Sequence, residues 1–146
     1  MRLRRSARLL VVDPDNRLLL LRFAFQSGAL EGQSYWATPG GELLQGEDFV
    51  QAARRELHEE TGIEAQIGPR TAQRSTSFAL TNGELVRANE CYFLVRVPNS
   101  SITTKYRTAL EREIIAEHRW WTQSDLRTSN EPVYPEDVFD MVPNVE

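Results

Sequence analysis

Residues 41–63 constrain the fold of this chain more than any other stretch, because they predict an amphipathic helix with an abrupt end. Phe49, Ala53 and Leu57 recur at four-residue spacing, which places apolar side chains on one face of a helix. Gly62 follows and can take the left-handed conformation that ends a helix. The sequence therefore predicts a helix that packs one face on a core and stops before this glycine.

The last turn of that helix carries three acids, Glu56, Glu59 and Glu60, where helix electrostatics disfavour them. The carboxyl end of a helix bears partial negative charge, and acids three or four residues apart repel one another. At about 100° per residue, the three acids cover an arc of about 100° beside the apolar stripe. One interpretation is a solvated face on which the acids pair with Arg54 and Arg55. The other is a divalent-cation site, since carboxylate oxygens suit Mg²⁺ or Mn²⁺.

The spacing of the fixed residues favours the cation site. The stretch fits the pattern Gx5Ex7REUxEExGU, in which U is a bulky aliphatic residue, at every fixed position. Those positions are Gly41, Glu47, Arg55, Glu56, Leu57, Glu59, Glu60, Gly62 and Ile63. Residues 41–63 thus resemble the signature of the Nudix hydrolases without a departure. The resemblance implies an α/β fold, the Nudix-type α/β/α sandwich with a central mixed β-sheet, and hydrolysis of a diphosphate bond in a nucleoside diphosphate derivative.

The acid spacing and the resemblance together predict the metal ligands. Glu56 and Glu60 lie one turn apart and are expected to bind the principal ion, while Glu59 shares it or holds a second ion. Two adjacent glycines let the backbone approach a ligand closely. In the resembled family the carbonyl before the first glycine of the motif is a ligand, which by position is that of Gly40. The expected cofactor is Mg²⁺ or Mn²⁺.

The segment before the helix is expected to contact the helix close to the acids. Glu47 and Asp48 are predicted to supply acids to the first turn of the helix. Arg55 is predicted to point about 60° or more away from the acid arc, where it could hold Glu47. The resemblance implies the same Arg55–Glu47 pair.

A proton acceptor is needed for water to attack a phosphoanhydride. A bound divalent ion would screen the phosphate charge and lower the pKa of a coordinated water, and a glutamate would take its proton. In the resembled family this base lies in the helix or on a loop ahead of the last strand. The helix offers Glu56 or Glu59. The loop offers Glu111, Glu113 or Glu117, of which Glu117 is preferred.

Four residues are predicted to contact the substrate. Arg22 and Arg74 could grip phosphate oxygens, because a guanidinium can bond two oxygens at once. Trp36 and Phe78 could stack on a nucleobase. Each arginine could equally be a solvated strand residue, and each aromatic ring part of the core. The expected substrate is a nucleoside triphosphate or another small nucleotide.

The length and composition of the chain predict its domain number, its partners and its location. A chain of 146 residues suits one domain, here a single Nudix hydrolase domain over residues 1–146. The net charge of −4 gives no broad attraction for nucleic acid or an anionic membrane. No stretch approaches the ~20 apolar residues that cross a bilayer. Cys91 is the only cysteine, so no internal disulfide can form and a cytoplasmic location is expected.

Alternating apolar segments and turn signals predict a strand-rich chain with few helices. The predicted strands are residues 7–12, 17–23, 34–37, 65–78, 84–97 and 117–122. Residues 98–112 are predicted to form a polar loop, and residues 123–127 a short helical turn. Pro135 is expected to open a C-terminal helix that buries Val138, Phe139 and Val142.

Two other functions share this fold and stay open at this point. A non-catalytic domain that senses a nucleotide or metabolite would need no metal ligands, yet all three acids are present. An isomerase acting on an isoprenoid diphosphate would need a cysteine in its pocket, and Cys91 lies in a predicted core strand. A homodimer is an assembly that only the resemblance suggests.

Overall fold

The structure is a computed structural model that describes residues 1–143. Eight strands make one sheet: β1 (Arg2–Val12), β2 (Leu18–Ala24), β3 (Ser34–Ala37), β4 (Gly40–Glu42), β5 (Arg70–Ala79), β6 (Leu85–Arg96), β7 (Ile115–Trp121) and β8 (Val133–Tyr134). The helices are α1 (Phe49–Thr61), α2 (Ala109–Ile114), α3 (Gln123–Thr128) and a 3-10 helix (Val138–Met141). Mixed strand pairing and several helices confirm the predicted α/β class.

The sheet is built around the long strand β1. Its main path runs β5-β6-β1-β2-β3-β8, with β4 paired to β1 and β7 paired to β2. β1 is parallel to β6 over its whole length and antiparallel to β4, whose Gly40 pairs with Arg8. This topology brings the glycine corner that starts at Gly40 beside the middle of β1, next to α1.

Each face of the sheet buries its own apolar cluster. On one face, α1 contributes Ala52, Ala53 and Leu57, and all three are fully buried. On the other, Trp36 and Trp121 pack with Val138, Phe139, Met141 and Val142 of the C-terminal segment. Helices therefore cover both faces, and α1 holds its acids at the rim of the first cluster.

Four boundaries illustrate how the structure differs from the predictions. β1 begins at Arg2 rather than Ala7, because the basic residues at its start pair in register with β6. β5 begins only at Arg70, since Gly68 and Pro69 already bond to the Leu94 backbone outside the regular ladder. The predicted polar loop 98–112 contains the start of α2. The C-terminal helix is a 3-10 turn at 138–141, although the three predicted apolar residues there are buried.

Two further predictions concerned the single cysteine and membrane-spanning segments. Cys91 is a free thiol buried in β6, as its apolar surroundings predict. In residues 1–143, every helix is too short and too polar to traverse a lipid bilayer.

Candidate active site

Helix α1 is held at both ends by local hydrogen bonds that the sequence encodes. Asp48 is its N-cap: its carboxylate accepts the Gln51 backbone N–H at 2.7 Å, and the Gln51 side chain accepts the Asp48 N–H at 2.9 Å. Asp48 and Glu47 thus precede the first turn instead of lying in it. Gly62 ends the helix at φ 75°, and its N–H bonds to the His58 carbonyl. The predicted stop is confirmed.

Two of the three acids in the last turns of α1 are buried against the glycine corner. Glu56 is 7% exposed and Glu60 3% exposed, whereas Glu59 is half-buried. A Cβ on Gly41 would lie 2.6 Å from the Glu56 carboxylate, so this position must be glycine for the acid to fit. Burying carboxylates is costly unless they are neutralised or coordinate a metal.

Gly40 holds the third acid directly. Its backbone N–H donates to Oε1 of Glu60 at 2.7 Å. Its φ is 143°, and a Cβ there would lie 2.2 Å from the Ala7 carbonyl oxygen. The backbone of the corner therefore lies beside the acids, as expected for the residue whose carbonyl is predicted to bind metal.

A fourth carboxylate reaches the cluster from α2. One oxygen each from Glu56, Glu59 and Glu111 lies within 4.8 Å of the others. Thr108 caps α2, and its N–H donates to Oε1 of Glu111 at 2.9 Å in a reciprocal capping box. Glu117, rather than Glu111, was the preferred prediction for the loop base. The Thr-x-x-Glu spacing at 108–111 is a capping-box signal that could have pointed to Glu111.

Arg55 ties the loop before α1 to the acids. Its guanidinium donates to Glu47 at 2.8 and 3.0 Å, which matches the predicted pair, and to the Glu42 carbonyl at 3.0 Å. It does not point away from the acids as predicted. Nη1 donates to Glu56 at 2.9 Å and lies 3.7 Å from Glu59. The long, flexible arginine side chain can reach acids that the helical positions of the Cα atoms alone would place out of its direction.

The electrostatics of the cluster favour a cation. Burial raises the pKa of Glu56 against the opposing charge of Arg55. Burial, a hydrogen bond to Glu111 and the charge of Glu56 raise the pKa of Glu59 to about 7. Burial and the charge of Glu56 raise the pKa of Glu60 well above its ordinary value. A divalent ion among these carboxylates would offset the burial and the mutual repulsion that raise their pKa values.

The family assignment follows from a match along almost the whole chain. The sequence profile of the NUDIX domain matches residues 2–142. The chain belongs to the Nudix family. It is a Nudix pyrophosphohydrolase, an enzyme that acts on acid anhydrides. No curated protein matches the sequence significantly.

Solved structures share the fold of this Nudix protein. The MutT protein from Methanosarcina mazei Go1 aligns with a TM-score of 0.71 at 22% identity, covering 95% of this chain and 91% of that one. The MutT NUDIX hydrolase from Burkholderia pseudomallei gives 0.65 at 20% identity and 97% of each chain. The E. coli ORF135 protein gives 0.63 at 22% identity, covering 97% of this chain and 87% of that one. These likenesses confirm the predicted architecture.

The Nudix protein keeps the preferred loop acid away from the cluster. Glu117 lies on β7, directly opposite Arg22 of β2, and the two side chains form an ion pair at 3.4 Å. Among the described residues, Glu111 is the carboxylate from outside α1 that converges with Glu56 and Glu59. Glu117 therefore pairs with Arg22 and is not part of the carboxylate cluster.

The four predicted substrate residues do not form one group. Arg22 and Trp36 are cross-strand partners and line a small cleft of about 90 Å³ with Tyr35. Arg74 binds both carboxylate oxygens of Asp137, at 2.8 and 2.7 Å. The separation reflects the sheet, in which β2 and β5 lie on opposite sides of β1.

The two predicted aromatic contacts differ in their exposure. Trp36 is 2% exposed, its ring meets Trp121 edge-on, and its Nε1 donates to Glu131. Its ring thus belongs to the core. Phe78 is half-buried on β5, with the guanidinium of Arg4 5.4 Å from its ring centre.

Proposed function

We propose that this chain hydrolyses a diphosphate bond in a nucleoside diphosphate derivative, such as a nucleoside triphosphate or another small nucleotide, with a divalent metal as cofactor. The observation that carries the proposal is the convergence of Glu56, Glu59 and Glu111, whose carboxylate oxygens lie within 4.8 Å of one another although they come from two helices. Carboxylates this close repel one another, and Arg55 supplies only one positive charge against them. A doubly charged ion converts that repulsion into attraction.

The donor set suits Mg²⁺ or Mn²⁺. All the candidate ligands are oxygens, and several are carboxylates, which hard divalent ions prefer. Glu56, Glu59, Glu60 and Glu111 would hold the metal, together with the Gly40 carbonyl. When bound, such an ion neutralises phosphate oxygens and makes a bound water more acidic.

The protein's own groups divide the remaining work. Arg55 fixes Glu56 and Glu47, so the acids keep their geometry while the substrate binds and leaves. Glu59 is the proton acceptor in this proposal, because it is the least buried acid of α1 and is therefore the most accessible to a water molecule. A water oxygen bonds to phosphorus, its proton passes to Glu59, and the phosphoanhydride P–O bond breaks. The leaving phosphate departs with that electron pair.

The substrate is proposed to reach the acids across β2 and β3. Arg22 and Tyr35 line the cleft near Trp36 and offer a cation and an aromatic surface, which are the groups that a phosphate and a nucleobase require. Arg74 and Phe78 remain predicted contacts, and Arg74 would have to exchange Asp137 for substrate.

The test of this proposal is a panel of nucleotides assayed with Mg²⁺, with Mn²⁺ and with a chelator. We expect release of phosphate, pyrophosphate or nucleoside monophosphate from at least one compound, and none with the chelator. Glu59→Gln and Glu60→Gln should each reduce turnover by at least about a hundredfold, as loss of metal or base function does. Asp140→Asn is the matched control, since Asp140 is exposed on the 3-10 helix and makes no ion pair among the described residues.

Binding without turnover would favour the non-catalytic sensing function instead. A nucleotide that raises the melting temperature but is never cleaved, in the presence of either metal, would identify a sensor. Turnover that survives both glutamine substitutions would remove the acid cluster from the mechanism.

Four broader proposals accompany this function. The chain is a single Nudix hydrolase domain over residues 1–146, which the match to residues 2–142 supports. Its ligand is a small molecule rather than nucleic acid, in keeping with a net charge of −4. A cytoplasmic location fits the single buried cysteine. Homodimer formation stays a prediction that sedimentation would test.

A further inference from the structure

The loop before α2 is docked on the C-terminal end of α1. The Thr103 N–H donates to the Thr61 carbonyl at 3.0 Å, and Nε of Arg107 donates to the Glu60 carbonyl at 2.8 Å. A Cβ on Gly62 would lie 2.0 Å from the Thr103 side chain, so the loop and the helix end are in close contact. The last carbonyls of α1, which lack partners inside the helix, are thus satisfied by this loop.

Within residues 1–143, Arg107 is buried although its charge is unpaired. It is 9% exposed, and among the described residues it makes no ion pair and its Nη2 has no hydrogen-bond partner. Burial lowers the pKa of Arg107, while the negative charges of Glu60 and Glu111 raise it. A buried guanidinium with an unpaired amino group is costly. Its one side-chain bond goes to the residue that also supplies a predicted metal ligand.

The chain leads directly from Arg107 to the fourth acid of the site. The next residue, Thr108, is the N-cap of α2 and anchors the Glu111 carboxylate through its backbone N–H. Arg112 bonds back to the Arg107 carbonyl at 3.2 Å and to the Lys105 carbonyl at 2.9 Å, which closes the loop onto α2. The contact of Arg107 with the end of α1 therefore fixes where α2 starts, and hence where Glu111 lies.

We propose that Arg107 is a positioning residue, which clamps the start of α2 to the Glu60 carbonyl and thereby delivers Glu111 to the acid cluster. Nη2 of Arg107 is buried, so the proposed role is to position Glu111 rather than to contact substrate. This inference rests on the proposed metal-dependent function, in which Glu111 helps to hold the ion. The guanidinium also lies near a site for a cation. Its repulsion of that cation opposes its positioning effect.

The experiment is a double-mutant cycle on Mn²⁺ affinity, read from the paramagnetic resonance signal of free Mn²⁺ in the absence of substrate. Arg107→Met removes the clamp and the charge, and Glu111→Gln removes the ligand. Arg107→Met should weaken binding at least about tenfold in the wild-type background, as changes to partners of metal ligands do. In the Glu111→Gln background the same change should have less than about a twofold effect, because coupled residues are not additive.

Arg54→Met is the control for loss of an arginine. Arg54 is exposed on α1 and makes no ion pair among the described residues, so Mn²⁺ affinity should stay at the wild-type value. If Arg107→Met does not fold, as judged by circular dichroism, then Arg107→Gln is measured with the same expected pattern.

The outcomes separate this inference from the function on which it rests. Equal losses in both backgrounds would mean a general structural role, and unchanged or tighter binding would mean that charge repulsion dominates; either result overturns the positioning role. If wild-type protein binds no Mn²⁺ at all, the proposed function itself fails. If wild type binds Mn²⁺ and turns over substrate while the cycle is additive, only the role of Arg107 is lost.

Discussion

The backbone N–H of Gly40 donates to the carboxylate of Glu60 at 2.7 Å, which joins the glycine corner of β4 to the end of α1. The two residues are separated by 20 positions in the chain. Their contact places a buried acid against the residue whose carbonyl is a predicted metal ligand.

Gly40→Ala should destabilise the protein strongly. The added Cβ would lie 2.2 Å from the Ala7 carbonyl oxygen at a φ of 143°, so strain and overpacking combine. We expect a loss of about 3 kcal/mol or more in the free energy of unfolding, measured by urea denaturation. Gly32→Ala is the matched control, because Gly32 also has positive φ but no atom within 4 Å of an added Cβ. Equal losses in both variants would mean that the clash has no effect.

Arg55→Lys should reduce turnover although it keeps the charge. A lysine cannot reproduce the fork that bonds Glu47, Glu56 and the Glu42 carbonyl at once. We expect kcat/KM to fall about 10- to 100-fold, measured by steady-state kinetics at saturating Mg²⁺. Arg54→Lys, at the exposed neighbouring position, should change it less than about twofold. A wild-type rate in Arg55→Lys would show that the fork is not needed.

Glu111→Gln and Glu117→Gln should differ in their effect on turnover. Glu111 lies with Glu56 and Glu59, so its loss should lower kcat at least about a hundredfold. Glu117 pairs with Arg22, so its loss should act on KM and leave kcat within about threefold. The reverse order of effects would restore Glu117 as the general base.

The stability of the metal-free protein should fall between pH 4.5 and 7. Burial raises the pKa of Glu59 to about 7, whereas an unfolded glutamate titrates near 4.5. In this window the folded state binds more protons than the unfolded state, so the free energy of unfolding decreases as pH rises. Melting temperatures in chelator at pH 5 and pH 7.5 should show this fall, with a smaller fall in Glu59→Gln. Mg²⁺ should raise the melting temperature more at pH 7.5 than at pH 5, because it binds the ionised acids.

Identical pH dependence in wild type and Glu59→Gln would contradict the assignment of the raised pKa. A larger Mg²⁺ effect at pH 5 would also contradict it. Asp140→Asn, an exposed charge change on the 3-10 helix, should follow wild type.

The sequence predicted the parts of the site that depend on helix spacing and backbone freedom. The acids 56, 59 and 60 share a helix, so their proximity follows from 3.6 residues per turn. The glycine pair and the Arg55–Glu47 contact follow from the motif. Long-range placement was harder, because it depends on the docking of separate segments. Glu111 is brought to the acids by a loop that docks on α1 through the bond between Arg107 and Glu60. These two residues are 47 positions apart, and no local pattern in the sequence encodes their contact.

Strand boundaries illustrate the same limit. The sequence predicted β1 from Ala7, since apolar alternation begins there. The structure extends it to Arg2 because β6 supplies a partner for each of those basic residues. Trp36 was predicted to contact substrate, yet cross-strand packing turns its ring towards Trp121 in the core. The sequence alone does not show which face of the sheet borders a pocket, so it does not show which strand aromatics will reach one.

The most direct test of the central claim is an anomalous difference map from crystals grown with Mn²⁺ and a non-hydrolysable nucleotide. We predict a manganese peak bounded by Glu56, Glu59, Glu60 and Glu111 and adjacent to the Gly40 carbonyl. Nucleotide bound with no manganese among these carboxylates, together with no heat of Mn²⁺ binding by titration calorimetry, would contradict the account.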